Sequence, residues 1–254
     1  MSLKGKIKIS AVSYLNTLPF HFGLENSDSL NQRIILSKDI PSVCADKLIK
    51  EEVDIGLIPV AAINKIPNAR IISNYCIGAV GKVKSVLLFS HVPLKEIKRI
   101  YLDYQSRTSV NLIRILARDF WKIDPEFIQG TEGYEQKISA SNAALIIGDR
   151  AFDYMNTFNY EYDLSEEWMK FQSLPFVFAV WVANKELPEE FIRQFNEALR
   201  SGLDSIDAVS EQFKNEHPDV TIDVNNYLKN DISFILDVEK RKALETFLRM
   251  LKSI

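Results

Sequence analysis

The chain has 254 residues, of which 46% are hydrophobic and 26% are charged. An apolar fraction of this size is typical of a folded globular protein and excludes intrinsic disorder as the main state. The formal net charge of -3 gives no electrostatic basis for binding nucleic acid or an anionic membrane, so we expect neither as a partner.

The first third of the chain alternates short apolar strands with helical segments. Strands are predicted over residues 7–12, 33–36 and 54–58. Ser37 or Asp39 is predicted to cap a helix that has Pro41 in its first turn and runs to about Lys50. Because helices separate these strands, we expect the strands to pair in parallel as βαβ units.

The middle third repeats this pattern. Strands are predicted over residues 85–90, 99–103 and 143–147. A helix is predicted to carry an apolar stripe from Leu112 to Phe120, at the spacing of one helical face. The continuous apolar run from Phe176 to Val182 predicts a strand that is buried on both faces.

The last third reads as helical, and no flexible linker divides the chain. Helices are predicted from Pro188 and over residues 206–215, 224–229 and 238–252. Two βα regions without a linker predict two lobes joined by strands, with crossings near Ser90 and Phe178. One lobe would contain residues 1–90 and 179–254, and the other residues 91–178. A cleft between such lobes is the default ligand site.

Several common functional motifs are absent. The chain has no phosphate-binding loop, dinucleotide fingerprint, HExxH motif or GxSxG motif. Cys44 and Cys76 are far apart, so we expect two free thiols and no zinc site. His21, His91 and His217 are scattered, and we interpret each as a surface or packing residue.

The amino terminus and the apolar runs bear on location. Charged residues interrupt residues 1–9, which lack the apolar region of a secretory signal. The apolar run 176–183 is too short to span a bilayer. The sequence therefore predicts a soluble, cytoplasmic protein.

The segment Asp103–Ser109 lies between a predicted strand and a predicted helix. Free N–H groups and the helix dipole favour an anion there, by roughly 0.3–1 kcal/mol. Ser106, Thr108 and Ser109 add hydroxyl groups, and Arg107 has a planar guanidinium suited to a carboxylate. The segment predicts anion binding, and a capped helix start with a solvated arginine is the alternative.

The turn Ser13–Thr17 follows the first strand at its carboxyl end, where open α/β sheets bind ligands. Asn16 can both donate and accept, so its amide can bridge a hydroxyl and a carboxylate. A left-handed turn position is the alternative for this residue. Pro59 ends the third strand on the same edge.

Three further residues lie beside predicted strands. Ser85 is the first residue of one strand. It is a candidate site residue, and the alternative is an ordinary serine of a β-edge. Gly148 follows another strand and allows either close ligand approach or a tight turn. A carboxylate beside an anion site would be repulsive, so we expect Asp149 to cap the chain or hold Arg150.

Several stretches together resemble the chorismate dehydratase family of the futalosine route to menaquinone. The resemblance covers most of residues 7–184. Its most specific motifs are Ser-Arg-Thr-Ser and Leu-Pro-Phe-Val-Phe-Ala. The stretches that carry it are residues 12–19, 54–61, 85–88, 106–109, 147–149 and 174–179.

This resemblance implies a two-lobed α/β fold like that of type 2 periplasmic binding proteins, with the ligand cleft between the lobes. It implies a carbon–oxygen lyase that eliminates water from chorismate to give 3-(1-carboxyvinyloxy)benzoate. The expected partner is therefore the dianionic chorismate. Because aromatisation drives the reaction, no metal or other cofactor is expected.

The resemblance also assigns roles to residues. It implies Asn16 and Ser85 as the catalytic pair. The substrate-binding residues would be Ser13, Pro59, Ser106, Arg107, Thr108, Ser109 and Gly148. Apart from Asp149, no histidine or acid stands at a matched position, so a substrate carboxylate would take the ring proton while Asn16 orients it.

Three alternatives remain open. One is a cytoplasmic binding protein for a small carboxylate. Another is the sister enzyme that acts on a cyclic futalosine derivative, although none of the three histidines falls in that enzyme's motif. The third is an effector-binding module of a regulator, for which a DNA-reading motif and a basic face are lacking.

Overall fold

The computed structural model describes residues 5–254 and contains eleven strands in that range. The strands are β1 (Ile7–Val12), β2 (Ile34–Asp39), β3 (Ile55–Pro59), β4 (Arg70–Ala79), β5 (Val86–Ser90), β6 (Arg99–Leu102), β7 (Glu126–Gln129), β8 (Asn142–Ile147), β9 (Tyr160–Asp163), β10 (Phe176–Ala183) and β11 (Ser233–Ile235).

Eight α-helices accompany them over the same described range. The helices are α1 (Leu18–Glu25), α2 (Pro41–Ile49), α3 (Thr108–Ile115), α4 (Leu164–Gln172), α5 (Glu189–Asp204), α6 (Ile206–Glu216), α7 (Val224–Asn226) and α8 (Val238–Leu251). Wider π-type turns continue α3 and α7, over Leu116–Trp121 and Tyr227–Asp231. Tight 3-10 turns cover Leu15–Thr17, Val60–Lys65, Leu94–Glu96, Tyr134–Lys137 and Gly148–Tyr154.

The strands form two sheets, and the chain divides into two compact units. The six-stranded sheet has the order β11-β4-β10-β3-β1-β2, and the five-stranded sheet has the order β7-β6-β8-β5-β9. Among the described residues, unit 1 contains residues 5–77 and 179–236, and unit 2 contains residues 78–178 and 237–254. The chain passes from one unit to the other within β4, within β10 and directly after β11.

The unit boundaries differ from the predicted lobes in two places. The predicted crossing near Ser90 lies earlier, after Ile77, because β5 pairs with β8 and β9 in the second sheet. Helix α8 belongs to unit 2, where Phe247 packs edge-on against Phe176 at 5.2 Å. The crossing predicted near Phe178 falls directly after that residue.

Strand directions only partly follow the predicted βαβ pattern. In the first sheet β1 pairs in parallel with β2 and with β3, as expected. However, β10 runs antiparallel to β3, and β5 runs antiparallel to both β8 and β9. An antiparallel neighbour needs no crossover helix, so spacing along the chain did not reveal these pairings.

The predicted helix cap at Ser37 or Asp39 is wrong. Both residues lie in β2, which pairs with β1 as far as the Val12–Asp39 partners, and Ile40 is the residue that precedes the helix. Burial would raise the pKa of Asp39, but hydrogen bonds from Lys47, Ser10 and Ser37 outweigh it and hold the pKa below its usual value. Pro41 opens α2 as predicted.

Each unit has an aromatic core. All eight residues of β10 are buried, which confirms the prediction of a strand covered on both faces. In unit 1, Trp181 of this strand packs edge-on against Phe20 and Phe195, with ring centroids 5.8 and 5.1 Å apart. In unit 2, Trp168 packs in the same way against Phe176 at 5.2 Å. Such contacts contribute about 0.5–1.5 kcal/mol each beyond the burial of area.

Two observations concern location and thiols. Within residues 5–254, no helix has the combination of length and apolar character that crossing a membrane requires. The first four residues of the amino-terminal stretch used to predict location lie outside the described residues. Cys44 and Cys76 are buried without a disulfide, and burial raises the pKa of the Cys44 thiol to about 12.

Candidate functional site

The three predicted site residues of unit 1 lie at one edge of the first sheet. Because β1 and β3 pair in parallel, their carboxyl ends share an edge. Ser13 directly follows β1 and is exposed, and its N–H donates to the Asp39 carbonyl at 2.9 Å. Pro59 is buried at the end of β3, opposite Ala179.

Asn16 lies in the 3-10 turn after β1, with only 9% of its surface exposed. The turn is held by the Thr17 hydroxyl, whose Oγ1 lies 2.6 Å from the carbonyl oxygens of both Val12 and Tyr14, either of which can accept its hydrogen. The Asn16 Oδ1 atom is buried and has no hydrogen-bond partner among the described residues. Leaving such an acceptor unpaired costs about 1–3 kcal/mol, so a ligand donor would satisfy a group that the fold does not.

His21 lies five residues after Asn16, on α1, and only 4% of its surface is exposed. Its Nε2 is 2.7 Å from the Val12 carbonyl, which can only accept, so the hydrogen of the neutral ring resides on Nε2. Burial lowers the pKa of His21 and keeps the ring neutral at pH 7. Of the two roles predicted for this residue, surface or packing, the structure gives it the buried one.

The six predicted site residues of unit 2 lie at one edge of the second sheet. Strands β6 and β8 pair in parallel, so the residues that follow them are neighbours at this edge. Strand β5 runs antiparallel to β8 with Val86 opposite Ile147, which places Ser85 beside Gly148. The Gly148 N–H donates to the Ser85 carbonyl at 2.8 Å.

The predicted anion segment forms the start of α3. The Ser106 Oγ accepts the Ser109 N–H at 3.0 Å, and the Thr108 hydroxyl donates to the Phe178 carbonyl at 3.0 Å. Thr108 and Ser109 are each 2% exposed, whereas Arg107 is half-buried. The Ser106–Ser109 hydrogen bond and the solvent access of Arg107 fit the alternative, a capped helix start with a solvated arginine, and anion binding stays a prediction.

A buried carboxylate fixes the loop before Ser85. The Asp163 Oδ2 accepts the N–H groups of Val83 and Lys84 at 2.9 and 2.7 Å, while Oδ1 accepts the Ser165 N–H at the start of α4. Burial raises the pKa of Asp163 to about 6. Ser85 is 1% exposed, and its Oγ lies 3.4 Å from the Val83 carbonyl oxygen.

Gly148 begins a 3-10 turn directly after β8. Its φ of 67° lies in the left-handed region, which a residue with a Cβ adopts only with strain. The tight-turn interpretation of this glycine is therefore supported by the backbone itself.

Sequence reasoning missed a buried polar network at this same edge. Asp103 is fully buried, and its Oδ1 accepts the Gln105 N–H at 2.8 Å. Its Oδ2 accepts the Ile147 N–H at 3.1 Å and binds Arg150 Nη2 at 2.5 Å. The Tyr134 hydroxyl lies 2.7 Å from the same oxygen.

The network also identifies what holds Arg150. Its guanidinium binds the carboxylates of Asp103 and Glu135. Burial raises the pKa of Asp103, and the positive charge of Arg150 opposes that rise. The aspartate two residues before Gln105 is a local turn signal that sequence reasoning could have used, whereas Tyr134 comes from a distant loop with no local pattern.

The described residues contain no group of three or more histidine, cysteine or acidic side chains arranged to hold a metal ion. The predicted site residues at the two sheet edges instead present an amide, hydroxyls and the half-buried guanidinium of Arg107. Such groups bind oxygen-rich organic anions by hydrogen bonds.

A family model described as menaquinone biosynthesis matches residues 7–253. The chain belongs to the menaquinone biosynthesis family. The resemblance to this family that the sequence motifs indicated is thereby confirmed. The chorismate dehydratase of Thermus thermophilus is similar to this family member, with 28% identity over 227 residues and 78% of each chain covered.

Solved structures place the family member in a known fold. A protein of Archaeoglobus fulgidus superposes with a TM-score of 0.75 at 14% identity, covering 99% of this chain and 98% of that one. A Candida albicans protein described as having the generic periplasmic binding protein fold gives a TM-score of 0.60 at 13% identity, with 98% and 90% covered. The predicted periplasmic-binding-protein-like α/β fold is confirmed.

Proposed function

We propose that the protein is a chorismate dehydratase, a carbon–oxygen lyase that converts chorismate to 3-(1-carboxyvinyloxy)benzoate in the futalosine route to menaquinone. Membership of the menaquinone biosynthesis family supports the pathway. Similarity to the Thermus thermophilus chorismate dehydratase supports the substrate.

The structural observation that carries the proposal is the buried, unpaired Oδ1 of Asn16. An orphaned acceptor at a strand end needs a donor, and the chorismate ring carries a hydroxyl group that can provide one. The amide NH₂ of the same side chain can donate to a carboxylate. Asn16 thus suits a substrate that has both groups.

The anion segment of unit 2 provides the positive group that a dianion needs. We assign Arg107 to one substrate carboxylate, because a guanidinium binds a carboxylate through two parallel N–H donors. Gly148 and Ser85 lie beside each other at the same sheet edge. We assign Ser85 to the reacting ring, and the turn at Gly148 to close backbone approach.

The reaction requires a proton and a hydroxide to leave neighbouring ring carbons. The carbon that carries the enolpyruvyl ether loses the proton, and the electrons of that C–H bond form the third ring double bond. Hydroxide leaves from the adjacent carbon, so the products are an aromatic ring and water. None of the nine assigned residues is a histidine or an acid, so we assign the proton to a substrate carboxylate that Asn16 orients.

The test is to incubate the purified protein with chorismate and to follow substrate and product by mass spectrometry. The proposal predicts a product lighter by one water, with an aromatic absorption spectrum. The same protein is incubated separately with cyclic dehypoxanthinyl futalosine.

The alternatives give different results. Conversion of the futalosine derivative alone would assign the sister reaction instead. Tight binding of chorismate in a calorimeter with no product would assign a binding protein. Either result would contradict the proposed dehydratase.

A further inference from the structure

One buried carboxylate connects the two loops that carry most of the assigned residues of unit 2. Asp103 directly follows β6 and has no exposed surface. Asp103 is the first residue of the anion segment, whose assigned residues start three positions later at Ser106, and Gly148 begins the turn that follows the neighbouring strand β8. Asp103 therefore lies at the junction of both loops.

The two carboxylate oxygens of Asp103 accept hydrogen bonds from different loops. Oδ1 accepts the Gln105 N–H at 2.8 Å, which bends the chain after β6 into a turn that leads to Ser106. Oδ2 accepts the Ile147 N–H at 3.1 Å, and Ile147 is the residue before Gly148. The distance between the two loops is thus set by the width of one carboxylate group.

The charge of Asp103 is balanced locally. Arg150 lies 2.5 Å from Oδ2 and also binds Glu135, and the Tyr134 hydroxyl lies 2.7 Å from the same oxygen. A buried carboxylate without such a partner would repel an anion bound at this edge. The pair with Arg150 allows Asp103 to hold the loops without opposing anion binding.

We propose that Asp103 is a positioning residue that fixes the anion segment and the Gly148 turn relative to each other, so that both can contact the substrate. The proposal rests on the proposed function for its kinetic readout. Asp103 touches no reacting atom, so its loss should weaken substrate binding more than it slows the chemical step.

The experiment compares Asp103→Asn with Tyr134→Phe. Asparagine keeps an acceptor for the Gln105 N–H but places an amide NH₂ or a neutral oxygen where Oδ2 held Ile147 and Arg150. Phenylalanine removes one buried hydroxyl from the same oxygen and leaves both loop contacts in place. We expect Asp103→Asn to raise KM for chorismate at least 10-fold with kcat within 3-fold, and Tyr134→Phe to change KM less than 3-fold.

Hydrogen exchange provides a second readout that does not depend on turnover. In Asp103→Asn, the amide of Ile147 should lose protection because its acceptor Oδ2 is altered, while the amides of β9 keep theirs. An unchanged KM, an equal rise of KM in Tyr134→Phe, or retained protection of the Ile147 amide in Asp103→Asn would overturn the proposal. If the wild type leaves chorismate unchanged, the proposed function fails, whereas the exchange result still decides the positioning role.

A measurement on the wild-type protein covers the case in which Asp103→Asn does not fold. The N–H groups of Gln105 and Ile147 donate to the same carboxylate, so their NMR chemical shifts should move with one shared midpoint on acidification. Two separate midpoints would show that one carboxylate does not hold both loops, and would overturn the proposal.

Discussion

At the scale of single residues, the candidate site depends on which polar side chains already form hydrogen bonds within the protein. The hydroxyl of Thr108 and the Oγ of Ser106 are engaged with Phe178 and Ser109 within unit 2. The Oδ1 of Asn16 has no such partner among the described residues. Among the assigned residues, we therefore expect Asn16 to contribute most directly to the reaction, and Ser106 and Thr108 to shape the loop.

Arg107 gives the first prediction at this scale. Replacing it in Arg107→Ala should raise KM about 10- to 100-fold, because a charge-assisted hydrogen bond contributes about 1.5–3 kcal/mol. The value of kcat should change less. Steady-state kinetics with chorismate provides the measurement.

A second half-buried arginine, Arg114 of α3, serves as the control. Arg114 stacks over Phe127 at 4.6 Å, so Arg114→Ala should leave KM near the wild-type value. If KM is unchanged in Arg107→Ala, or rises equally in both variants, Arg107 does not bind the substrate carboxylate.

His21 gives a prediction about pH. Burial lowers its pKa below 6.5 in the folded protein, and the unfolded chain restores the ordinary value. As the pH falls through 6.5, the unfolded state binds a proton that the folded state does not, so the free energy of unfolding decreases. The loss from this group should reach up to about 1.4 kcal/mol at pH 5.5.

The measurement is urea unfolding at pH 7.5 and pH 5.5. His21→Gln keeps a donor for the Val12 carbonyl without titrating, so its stability should decrease less over this range than that of the wild type. His217→Gln, at an exposed histidine, should behave like the wild type. The same pH profile in all three proteins would refute the assignment of a neutral, buried His21.

At the scale of elements, the packing of α1 on α5 positions the turn that contains Asn16. The backbones of these helices approach at Gly23 and Gly202, where an added Cβ would collide with the carbonyl oxygens of Ala198 and Pro19 respectively. Because Asn16 lies just before α1, a shift of this helix would move the turn as well.

This packing gives a prediction about stability. Gly202→Ala should lower the free energy of unfolding by about 2–3 kcal/mol, because the clash is with backbone that has little room to relax. Ser201→Ala, at the exposed neighbouring position, should change it by less than about 0.5 kcal/mol. Urea unfolding measures both, and equal stabilities would show that the helices do not need a glycine there.

The elements that the sequence predicted are those with a strong local pattern. The apolar run of β10 and the first sheet's β1 and β3 were located to within a residue or two. Strands β4, β7, β9 and β11 were missed. Short strands such as β9 are fixed by pairing with distant partners, here β5, which local periodicity does not reveal.

At the scale of the whole molecule, the chain forms two units and passes from one to the other three times. The sequence predicted a discontinuous arrangement because its βα regions lack a linker. It did not predict that the last helix, α8, packs in unit 2, because an amphipathic pattern specifies an apolar face and not the surface that covers it.

The candidate site was predictable from the sequence only in part. The strand-end positions of Asn16 and Gly148 follow from the general rule for α/β sheets, and both lie at such ends. Ser85 and Gly148 are brought together by the antiparallel pairing of β5 and β8, which no local motif indicates. The Asp103 network joins residues up to 47 positions apart and became evident only in three dimensions.

The rate of chorismate dehydration in Asn16→Ala, compared with the wild type, tests the account most directly. We predict that the wild type forms a product one water lighter. We predict that Asn16→Ala slows kcat by at least about 100-fold without loss of stability, as losing a transition-state hydrogen-bonding group typically does. Wild-type turnover in Asn16→Ala, or intact chorismate in the wild-type reaction, would contradict it.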